Sequence, residues 1–463
     1  MAKKAATRWR CTDCGAEHSG WYGKCPACGA WNTVEECLDP STSTGAQGRV
    51  VLGLKNVAQA IAVPDVADES ARIHTGIGEV DRVLGGGFMG GSVVLMHGAP
   101  GIGKSTLLLQ ISAAIARQSP ERSVLYASGE ESVGQIAGRA SRLEAVAPRL
   151  LLIAETRMET VLEAARELAI AGELGLLVVD SIQTVYSTDH EGLPGNVSQI
   201  RAVCAQLISF AKQHDVPVVI VGHITKDGQL AGPRMLEHMV DAVLSFEGDE
   251  DRTTRLLRAT KNRFGSTLEL GVFEMQAEGL RPIDNPSEAF LAQRPRDAPG
   301  SCITVSLQGT RPLLLEVQAL LASSGGGHPR RNCVGADPNR LAMLLAVLDR
   351  HGDTFVLDQD VFVNVAGGIR LSEPAADLSV LLAVASSHRR RPLPTDLIAL
   401  GEAGLTGELR QVTRLETRLA EAARLGFRHA VVAPVTGRAI KPPKGLRVSW
   451  AATVREALNL VLA

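Results

Sequence analysis

A glycine-rich segment placed before an apolar helix carries the clearest chemistry in the sequence. Residues 98–105 read G-A-P-G-I-G-K-S, a complete G-x-x-x-x-G-K-[ST] phosphate loop. Its glycines let backbone N–H groups turn toward phosphate oxygens, and Lys104 is expected to reach the β- and γ-phosphates while Ser105 binds Mg²⁺. A strand pattern at 93–96 precedes the loop and a helix pattern at 106–116 follows it. The sequence therefore predicts that ATP is bound by Gly98, Ala99, Pro100, Gly101, Ile102, Gly103, Lys104, Ser105 and Thr106.

Acidic residues follow two further strand patterns. The run at 176–180 ends in Asp180, the Walker-B arrangement, so Asp180 is expected to hold Mg²⁺ directly or through water. Glu130 and Glu131 follow the strand pattern at 124–128, where a carboxylate can orient the attacking water, and Glu130 is favoured over Glu131. Capping of the next helix is the alternative role for this pair. His223 ends another strand pattern, where it either senses the γ-phosphate or serves as a core or capping residue.

Four of the eight cysteines form two short knuckles near the N-terminus. Two residues lie between Cys11 and Cys14 and two between Cys25 and Cys28, and ten residues separate the pairs. Such spacing closes a tetrahedral thiolate site, and so small a segment needs a staple in order to fold. Disulfides would require an oxidising compartment, of which the sequence gives no sign. We therefore expect Zn²⁺ to be bound by Cys11, Cys14, Cys25 and Cys28.

The elements that position these groups alternate along the chain. Short apolar runs alternate with helical patterns between residues 73 and 285, which predicts an α/β fold with a mostly parallel sheet and a ligand site at the carboxyl ends of its strands. The strand patterns lie at 93–97, 124–128, 176–180, 216–221 and 242–246. The predicted organisation is a zinc module at 1–37, a linker at 38–72, an ATPase domain at 73–285, a linker at 286–300 and a second α/β domain at 301–463.

Composition restricts the class of protein further. The 463 residues are 45% apolar and 21% charged, with a formal net charge of −2. No apolar run is long enough to span a membrane and no signal peptide is recognisable, so a cytoplasmic location without membrane contact is expected. The net charge does not indicate a globally basic nucleic-acid binder, so DNA contacts would have to come from local basic patches or from a channel between subunits.

Several motifs together resemble the RadA family, also called Sms, of bacterial recombination and repair ATPases. These are the phosphate loop, S-G-E-E at 128–131, V-V-D-S at 178–181, G-H-I-T-K-D-G at 222–228, L-E-H-M-V-D at 236–241 and K-N-R-F-G at 261–265. The resemblance implies a RecA-like ATPase core between a zinc module and a Lon-protease-like domain. It also implies a DNA-stimulated ATP hydrolase, a hexameric ring that translocates on single-stranded DNA and promotes branch migration. Its partners would be single-stranded and branched DNA and a RecA-type recombinase.

Basic residues acquire specific roles within this resemblance. Lys261 and Arg263, in K-N-R-F-G, could project toward the γ-phosphate bound by a neighbouring subunit and stabilise the transition state in trans. Lys226 and Arg234 lie where RecA-like proteins place their DNA-contacting loops, although loop lysines are more often only solvated. A signalling ATPase similar to KaiC, or a scaffold that uses nucleotide only for assembly, are the alternative functions.

The C-terminal region resembles Lon-type proteases without their catalytic pair. Such enzymes use a serine activated by a lysine. Here Ala375 stands where the serine would be expected and Glu416 stands near the expected lysine. The sequence therefore predicts an assembly platform and no peptidase activity.

Overall fold

The computed structural model divides into two compact units, residues 1–65 and 66–463. It describes residues 8–11, 16–18, 23–29, 34–37, 72–223, 235–248, 253–292, 294–295, 297–324, 328–435, 437 and 440–462. Among the helices in these ranges, none has the length and apolarity required to cross a membrane.

The first unit contains a small antiparallel sheet in the order β2-β1-β3. Its strands are β1 (Arg8–Cys11), β2 (Glu17–His18) and β3 (Val34–Cys37). Strand β1 pairs with both neighbours, and the pairing places residues 8–11 opposite residues 34–37. The sheet therefore joins the two ends of the cysteine-rich segment.

A nine-stranded sheet forms the ATPase part of the second unit. Its strands are β4 (Val93–Gly98), β5 (Ser123–Ser128), β6 (Leu150–Ala154), β7 (Leu174–Asp180), β8 (Val218–His223), β9 (Ala242–Glu247), β10 (Thr254–Asn262), β11 (Leu270–Gln276) and β12 (Gly279–Pro282). The order is β12-β11-β10-β9-β4-β8-β7-β5-β6, with β9 to β6 parallel and β10 to β12 antiparallel. The prediction of a mostly parallel sheet is thus confirmed.

Helices cover both faces of this sheet because its central strands are apolar on both sides. Val94 and Met96 of β4 belong to one core, whereas Val93 and Leu95 belong to another. The first of these cores includes apolar residues of α2, and the second includes those of α4 and α5. The helices are α1 (Gly78–Leu84), α2 (Lys104–Gln118), α3 (Val133–Arg142), α4 (Met158–Ile170), α5 (Val197–His214) and α6 (Met235–Met239).

All five strand patterns taken from the sequence are strands in the structure, within a few residues at their ends. The sequence patterns did not include β6 or the antiparallel strands β10, β11 and β12. In β10, the charged residues Arg255, Arg258 and Lys261 interrupt the apolar positions. Its pairing with β9 is also irregular between Ala259 and Lys261, so a simple alternation is lost.

The remaining part of the second unit is a seven-stranded mixed sheet in the order β15-β16-β14-β13-β17-β20-β21, with a separate β18-β19 pair. Its strands are β13 (Ser301–Gln308), β14 (Arg311–Ser323), β15 (Arg331–Val334), β16 (Gln359–Val365), β17 (Leu397–Leu400), β18 (Glu402–Ala403), β19 (Leu409–Arg410), β20 (His429–Val432) and β21 (Arg447–Trp450). Its helices are α8 (Pro338–His351), α9 (Asp377–Arg389), α10 (Leu415–Arg424) and α11 (Val454–Leu462).

The segment at 286–300, expected to be an interdomain linker, contains a packed helix, α7 (Pro286–Leu291). Its Phe290 is buried in a core that also includes Leu270 and Val272 of the ATPase sheet and Leu313 of β14. An extended spacer does not form here because apolar side chains from both sheets meet around this helix. The junction is also ionic, since the buried Glu79 accepts two hydrogen bonds of 2.9 Å from Arg311.

Candidate functional site

The phosphate loop joins the central strand β4 to helix α2. Gly101 and Gly103 have φ angles of 75° and 111°, in the left-handed region that favours glycine. A Cβ atom on Gly98 would lie 2.3 Å from the carbonyl oxygen of Phe246, so a larger residue does not fit there. These glycines allow the chain to turn tightly into the N-terminus of α2, where free N–H groups and the helix dipole favour an anion. The backbone therefore fits a bound phosphate.

Lys104 is buried within this loop. Its ammonium group donates hydrogen bonds to the carbonyl oxygens of Gly98 at 3.0 Å and Ala99 at 2.9 Å. Burial lowers the pKa of Lys104, while the negative charges of Asp180 and Glu130 oppose that shift. The loop thus holds a positive charge on its own carbonyl groups, close to two carboxylates, and phosphate oxygens can replace these carbonyl groups as acceptors.

Asp180 lies at the end of β7, opposite Ser128 of β5. Its Oδ2 atom accepts a hydrogen bond of 2.6 Å from the hydroxyl group of Tyr126. Burial, followed by the negative charge of Asp180, raises the pKa of Tyr126 well above its ordinary range, so the phenol remains a donor. Tyr126 belongs to no linear motif, so the sequence alone does not indicate its role. Only the strand register, which places residues 126 and 128 beside the end of β7, could have indicated it.

The two glutamates after β5 make different contacts. Glu130 accepts hydrogen bonds from the hydroxyl group of Ser181 and from Nε2 of His223, the latter at 3.1 Å. Glu131 instead forms an ion pair with Arg139 of α3. The hydrogen bond from His223 is the main cause that lowers the pKa of Glu130 to about 2, against the effect of burial. These contacts favour Glu130 over Glu131 as the carboxylate that faces the phosphate loop.

The oxygen atoms near the loop fit a magnesium ion. Mg²⁺ prefers hard oxygen ligands such as carboxylates, hydroxyl groups and water. Ser105, the second residue of α2, has a hydroxyl group that makes no hydrogen bond to any described residue. Within the same ranges, Oδ1 of Asp180 also accepts no hydrogen bond. Ser105 and Asp180 could therefore hold Mg²⁺, which would neutralise charge on the phosphates.

Lys261 and Arg263 lie away from the phosphate loop of their own chain. Gly98 pairs with Phe246 near the end of β9, whereas Lys261 pairs with Val243 near its beginning. The Lys261 ammonium group donates to the carbonyl oxygens of Glu237, His238 and Val240, at 2.8, 3.3 and 2.6 Å. Arg263 forms an ion pair of 3.1 Å with Asp241 and has a 56% exposed side chain. The structure does not bring these two residues together with Lys104 of the same chain.

One arginine near the loop was not predicted. Arg255, near the start of β10, is buried, and its Nε atom donates a hydrogen bond of 3.1 Å to the carbonyl oxygen of Ile102. The K-N-R-F-G motif begins near the other end of this strand. Strand β10 therefore contacts the phosphate loop at one end and carries Lys261 at the other.

In the cysteine-rich unit, Cys25 and Cys28 lie on one turn closed by a hydrogen bond of 2.9 Å from Gly29 N–H to the Cys25 carbonyl oxygen. Sγ of Cys25 is 3.5 Å from Nε2 of His18. Hydrogen bonding, first from the backbone of Cys28, lowers the pKa of the Cys25 thiol to about 6, which favours the thiolate that Zn²⁺ binds. Cys14 and the side chain of Cys11 lie outside the described residues, as do the candidate DNA-contacting residues Lys226 and Arg234.

The C-terminal segment that resembles a protease nucleophile region has no serine–lysine pair. Ala375 is buried just before α9, and Glu416 is exposed on α10. A different pair occupies this region, because the fully buried Arg418 donates two hydrogen bonds to Glu373, at 2.8 and 2.6 Å. Arg418 also donates to the carbonyl oxygens of Val305 and Thr413. The charges of Arg418 and Glu373 are thus paired with each other within the fold.

Comparisons with known proteins agree with this organisation. Residues 61–229 match the family described as AAA domain, and residues 9–36 match the family described as rubredoxin metal binding domain. Among solved structures, the ATPase Domain of G40P covers 48% of this chain and 95% of its own, at 13% identity and a TM-score of 0.41. That likeness is too weak to support an argument.

Curated relatives extend over nearly the whole length. DNA repair protein RadA of Bacillus subtilis is 46% identical over 461 residues, covering 99% of both chains. The protein of the same name from Pseudomonas aeruginosa is 46% identical and covers 98% of this chain and 99% of its own. That from Escherichia coli is 45% identical and covers 99% of both. Together with the phosphate loop and the AAA-domain match, these relatives indicate an ATP-hydrolysing enzyme, and the chain belongs to the family of DNA repair protein RadA.

Proposed function

We propose that the chain is an ATP-driven motor of recombinational DNA repair. In this proposal it assembles into a hexameric ring, moves along single-stranded DNA and promotes branch migration of intermediates made by a RecA-type recombinase. ATP, Mg²⁺ and Zn²⁺ are its cofactors. The observation that carries the proposal is the separation of Lys261 and Arg263 from the phosphate loop of their own chain, because it leaves a neighbouring chain as the place where they can act.

One chain supplies the first half of the catalytic site. Lys104 would exchange the carbonyl oxygens of Gly98 and Ala99 for phosphate oxygens, and Ser105 and Asp180 would hold Mg²⁺, which would neutralise charge on the phosphates. Glu130 orients the attacking water. A carboxyl group with a pKa of about 2 is a weak proton acceptor, so Glu130 contributes mainly by positioning. Positioning is also what a loose phosphoryl-transfer transition state requires most.

A neighbouring chain supplies the second half. Arg263 is more than half exposed and is held by a single ion pair with Asp241, so its guanidinium group can turn toward another subunit. Lys261 is more firmly held, because its ammonium group has three carbonyl partners at the end of α6. We therefore assign the main contact with the γ-phosphate in trans to Arg263, with Lys261 maintaining the position of the segment and contributing charge.

DNA contacts are assigned to loop residues and to the zinc module. Lys226 and Arg234 are expected to contact DNA phosphates, which would make binding independent of sequence and sensitive to salt. The cysteine-rich unit, with Zn²⁺ on Cys11, Cys14, Cys25 and Cys28, would contact DNA or the recombinase. The C-terminal sheet would serve as an assembly platform without peptidase activity.

The proposal is tested by ATP hydrolysis with and without single-stranded DNA, for the wild type and for Lys104→Ala, Lys261→Ala and Arg263→Ala. DNA should stimulate the wild type, and Arg263→Ala should lower turnover about a thousandfold, as expected for loss of an arginine that acts in trans. Unchanged turnover on addition of DNA would contradict the motor and favour a signalling ATPase or a scaffold.

Mixing experiments test the trans arrangement separately. Lys104→Ala chains lack a working phosphate loop but retain Arg263, whereas Arg263→Ala chains have the opposite defect. In a mixed ring, some sites combine an intact loop with an intact neighbouring arginine, so the mixture should hydrolyse ATP faster than the sum of its components. A rate equal to that sum would exclude the trans contact.

A further inference from the structure

A buried phenol is hydrogen-bonded to the acid that ends the central strand β7. Tyr126 is 2% exposed, and its hydroxyl group donates to Oδ2 of Asp180 at 2.6 Å. Tyr126 and Val178 are paired across β5 and β7, and both belong to the core that also contains Leu107 and Leu108 of α2. Asp180 follows Val178 by two residues, so its side chain lies on this same face of the sheet. The phenol thus approaches Asp180 from the side of the helix that begins at the phosphate loop.

The hydrogen bond from Tyr126 makes the two carboxylate oxygens of Asp180 different. Oδ2 is occupied by the phenol, whereas Oδ1 accepts no hydrogen bond within the described ranges. Asp180 also lies close enough to Lys104 for its charge to influence the pKa of that ammonium group. Without the phenol, Asp180 would be free to rotate toward Lys104 and form an ion pair with it. In such an ion pair, the Asp180 carboxylate could not bind the divalent cation and the Lys104 ammonium group could not bind the phosphates.

We propose that Tyr126 is a positioning residue that holds Asp180 in the orientation in which it binds the divalent cation of the nucleotide. The inference rests on the metal-binding role proposed for Asp180. Partners of metal ligands typically fix the orientation of the ligand, and their loss typically weakens metal affinity about 10- to 100-fold. A residue that only filled the core would need the ring of Tyr126 but not its hydroxyl group, which is costly to bury without a partner.

The test is Mn²⁺ binding in the presence of ADP, measured by electron paramagnetic resonance on the full chain. Tyr126→Phe keeps the ring and removes only the hydroxyl group, so it should weaken Mn²⁺ binding about 10-fold or more. Its affinity for a fluorescent ADP analogue in EDTA should equal that of the wild type. Tyr186→Phe is the matched control, because the half-buried Tyr186 makes no side-chain hydrogen bond within the described ranges, and its Mn²⁺ affinity should not change.

Two outcomes would overturn the inference. One is a Mn²⁺ affinity of Tyr126→Phe within twofold of the wild type. The other is an equal loss of nucleotide affinity in EDTA, which would indicate general damage to the site. Asp180→Asn separates this inference from the proposed function. If that variant also binds Mn²⁺ normally, the metal role of Asp180 is wrong, whereas if only Asp180→Asn weakens binding, the error lies in the role given to Tyr126.

Discussion

Two segments that precede helices in the second unit, the phosphate loop before α2 and residues 372–376 before α9, hold their charges in different ways. In the first, Lys104 is held by two backbone carbonyl groups of a glycine-rich loop. In the second, Arg418 forms a two-point ion pair with Glu373 and donates to two further carbonyl groups. Both cations are buried, but only one has acceptors that a ligand can replace.

The two regions also differ in the number of polar atoms that remain available to a ligand. Around the phosphate loop, the hydroxyl group of Ser105 and Oδ1 of Asp180 make no hydrogen bond to described residues. In the first turn of α9, Asp377 is paired with Arg340, and the hydroxyl group of the buried Ser379 donates to the carbonyl oxygen of Ala376 at 2.7 Å. A site that must bind and release a ligand keeps polar atoms available, whereas a structural site pairs them within the fold.

The largest effect should come from the carboxylate that faces the phosphate loop. Glu130→Gln should lower the rate of ATP hydrolysis by about 10²- to 10⁴-fold, because the neutral amide removes the negative charge that polarises the attacking water and is a weaker hydrogen-bond acceptor. ATP binding, measured with a fluorescent analogue, should be retained. Glu131→Gln is the matched control and should keep most of the activity, since Glu131 contacts Arg139. Equal losses in the two variants would remove the distinction between the glutamates.

The second prediction concerns the stability of the C-terminal sheet. Arg418→Met leaves Glu373 without its partner and should lower the free energy of unfolding by about 3–5 kcal/mol. Unfolding of this sheet can be followed by the fluorescence of Trp450, which ends β21. The other three tryptophans, at positions 9, 21 and 31, belong to the first unit. Arg424→Met, which removes an exposed ion pair with Glu421, should cost less than about 1 kcal/mol.

These two arginines also test the comparison itself. The rate of ATP hydrolysis per folded molecule should be the same in Arg418→Met as in the wild type, since Arg418 contacts only residues of the C-terminal part. A normal unfolding midpoint in Arg418→Met would contradict the structural role given to the pair.

A smaller effect is expected in the pH dependence of hydrolysis. The hydrogen bond from His223 keeps the pKa of Glu130 near 2, so this carboxyl group stays ionised down to acidic pH in the wild type. In His223→Ala, the pKa of Glu130 should rise toward the ordinary value of 4.5. The hydrolysis rate, normalised to its value at pH 7.5, should then fall with decreasing pH earlier than in the wild type. Superimposable normalised profiles would exclude this contact as a control of the Glu130 charge.

The last prediction is that a single substitution before α9 creates no peptidase activity. Ala375→Ser introduces a serine where the resemblance to Lon-type proteases expects one. The expected lysine is still missing, because Glu416 stands near its position and Arg418 is hydrogen-bonded to Glu373. Cleavage of fluorescent casein by this variant should remain at the background of the wild type. Cleavage above that background would show that the region before α9 retains an activatable base.

Much of the ATPase sheet could be predicted from the sequence, because its buried parallel strands are short apolar runs that end in recognisable residues. Lys104, Ser105 and Asp180 could also be predicted, because each belongs to a motif whose residues are contiguous in the sequence. Tyr126 and Arg255 could not be found in this way, because their contacts depend on the register between strands that are distant in sequence. The helix at Pro286–Leu291 was also missed, since a segment rich in proline, arginine and aspartate is typical of a linker and its order comes from tertiary packing.

In the proposed ring, strand β10 would link the nucleotide site of its own chain to that of the next chain. Its nine residues extend about 30 Å. Near one end, Arg255 contacts the phosphate loop of its own chain, and just beyond the other lies Arg263, which is assigned to the next chain. A displacement of the loop on nucleotide binding would therefore be transmitted along one strand to the adjacent catalytic centre. In the proposed ring, nucleotide binding at one site would thereby influence hydrolysis at the next.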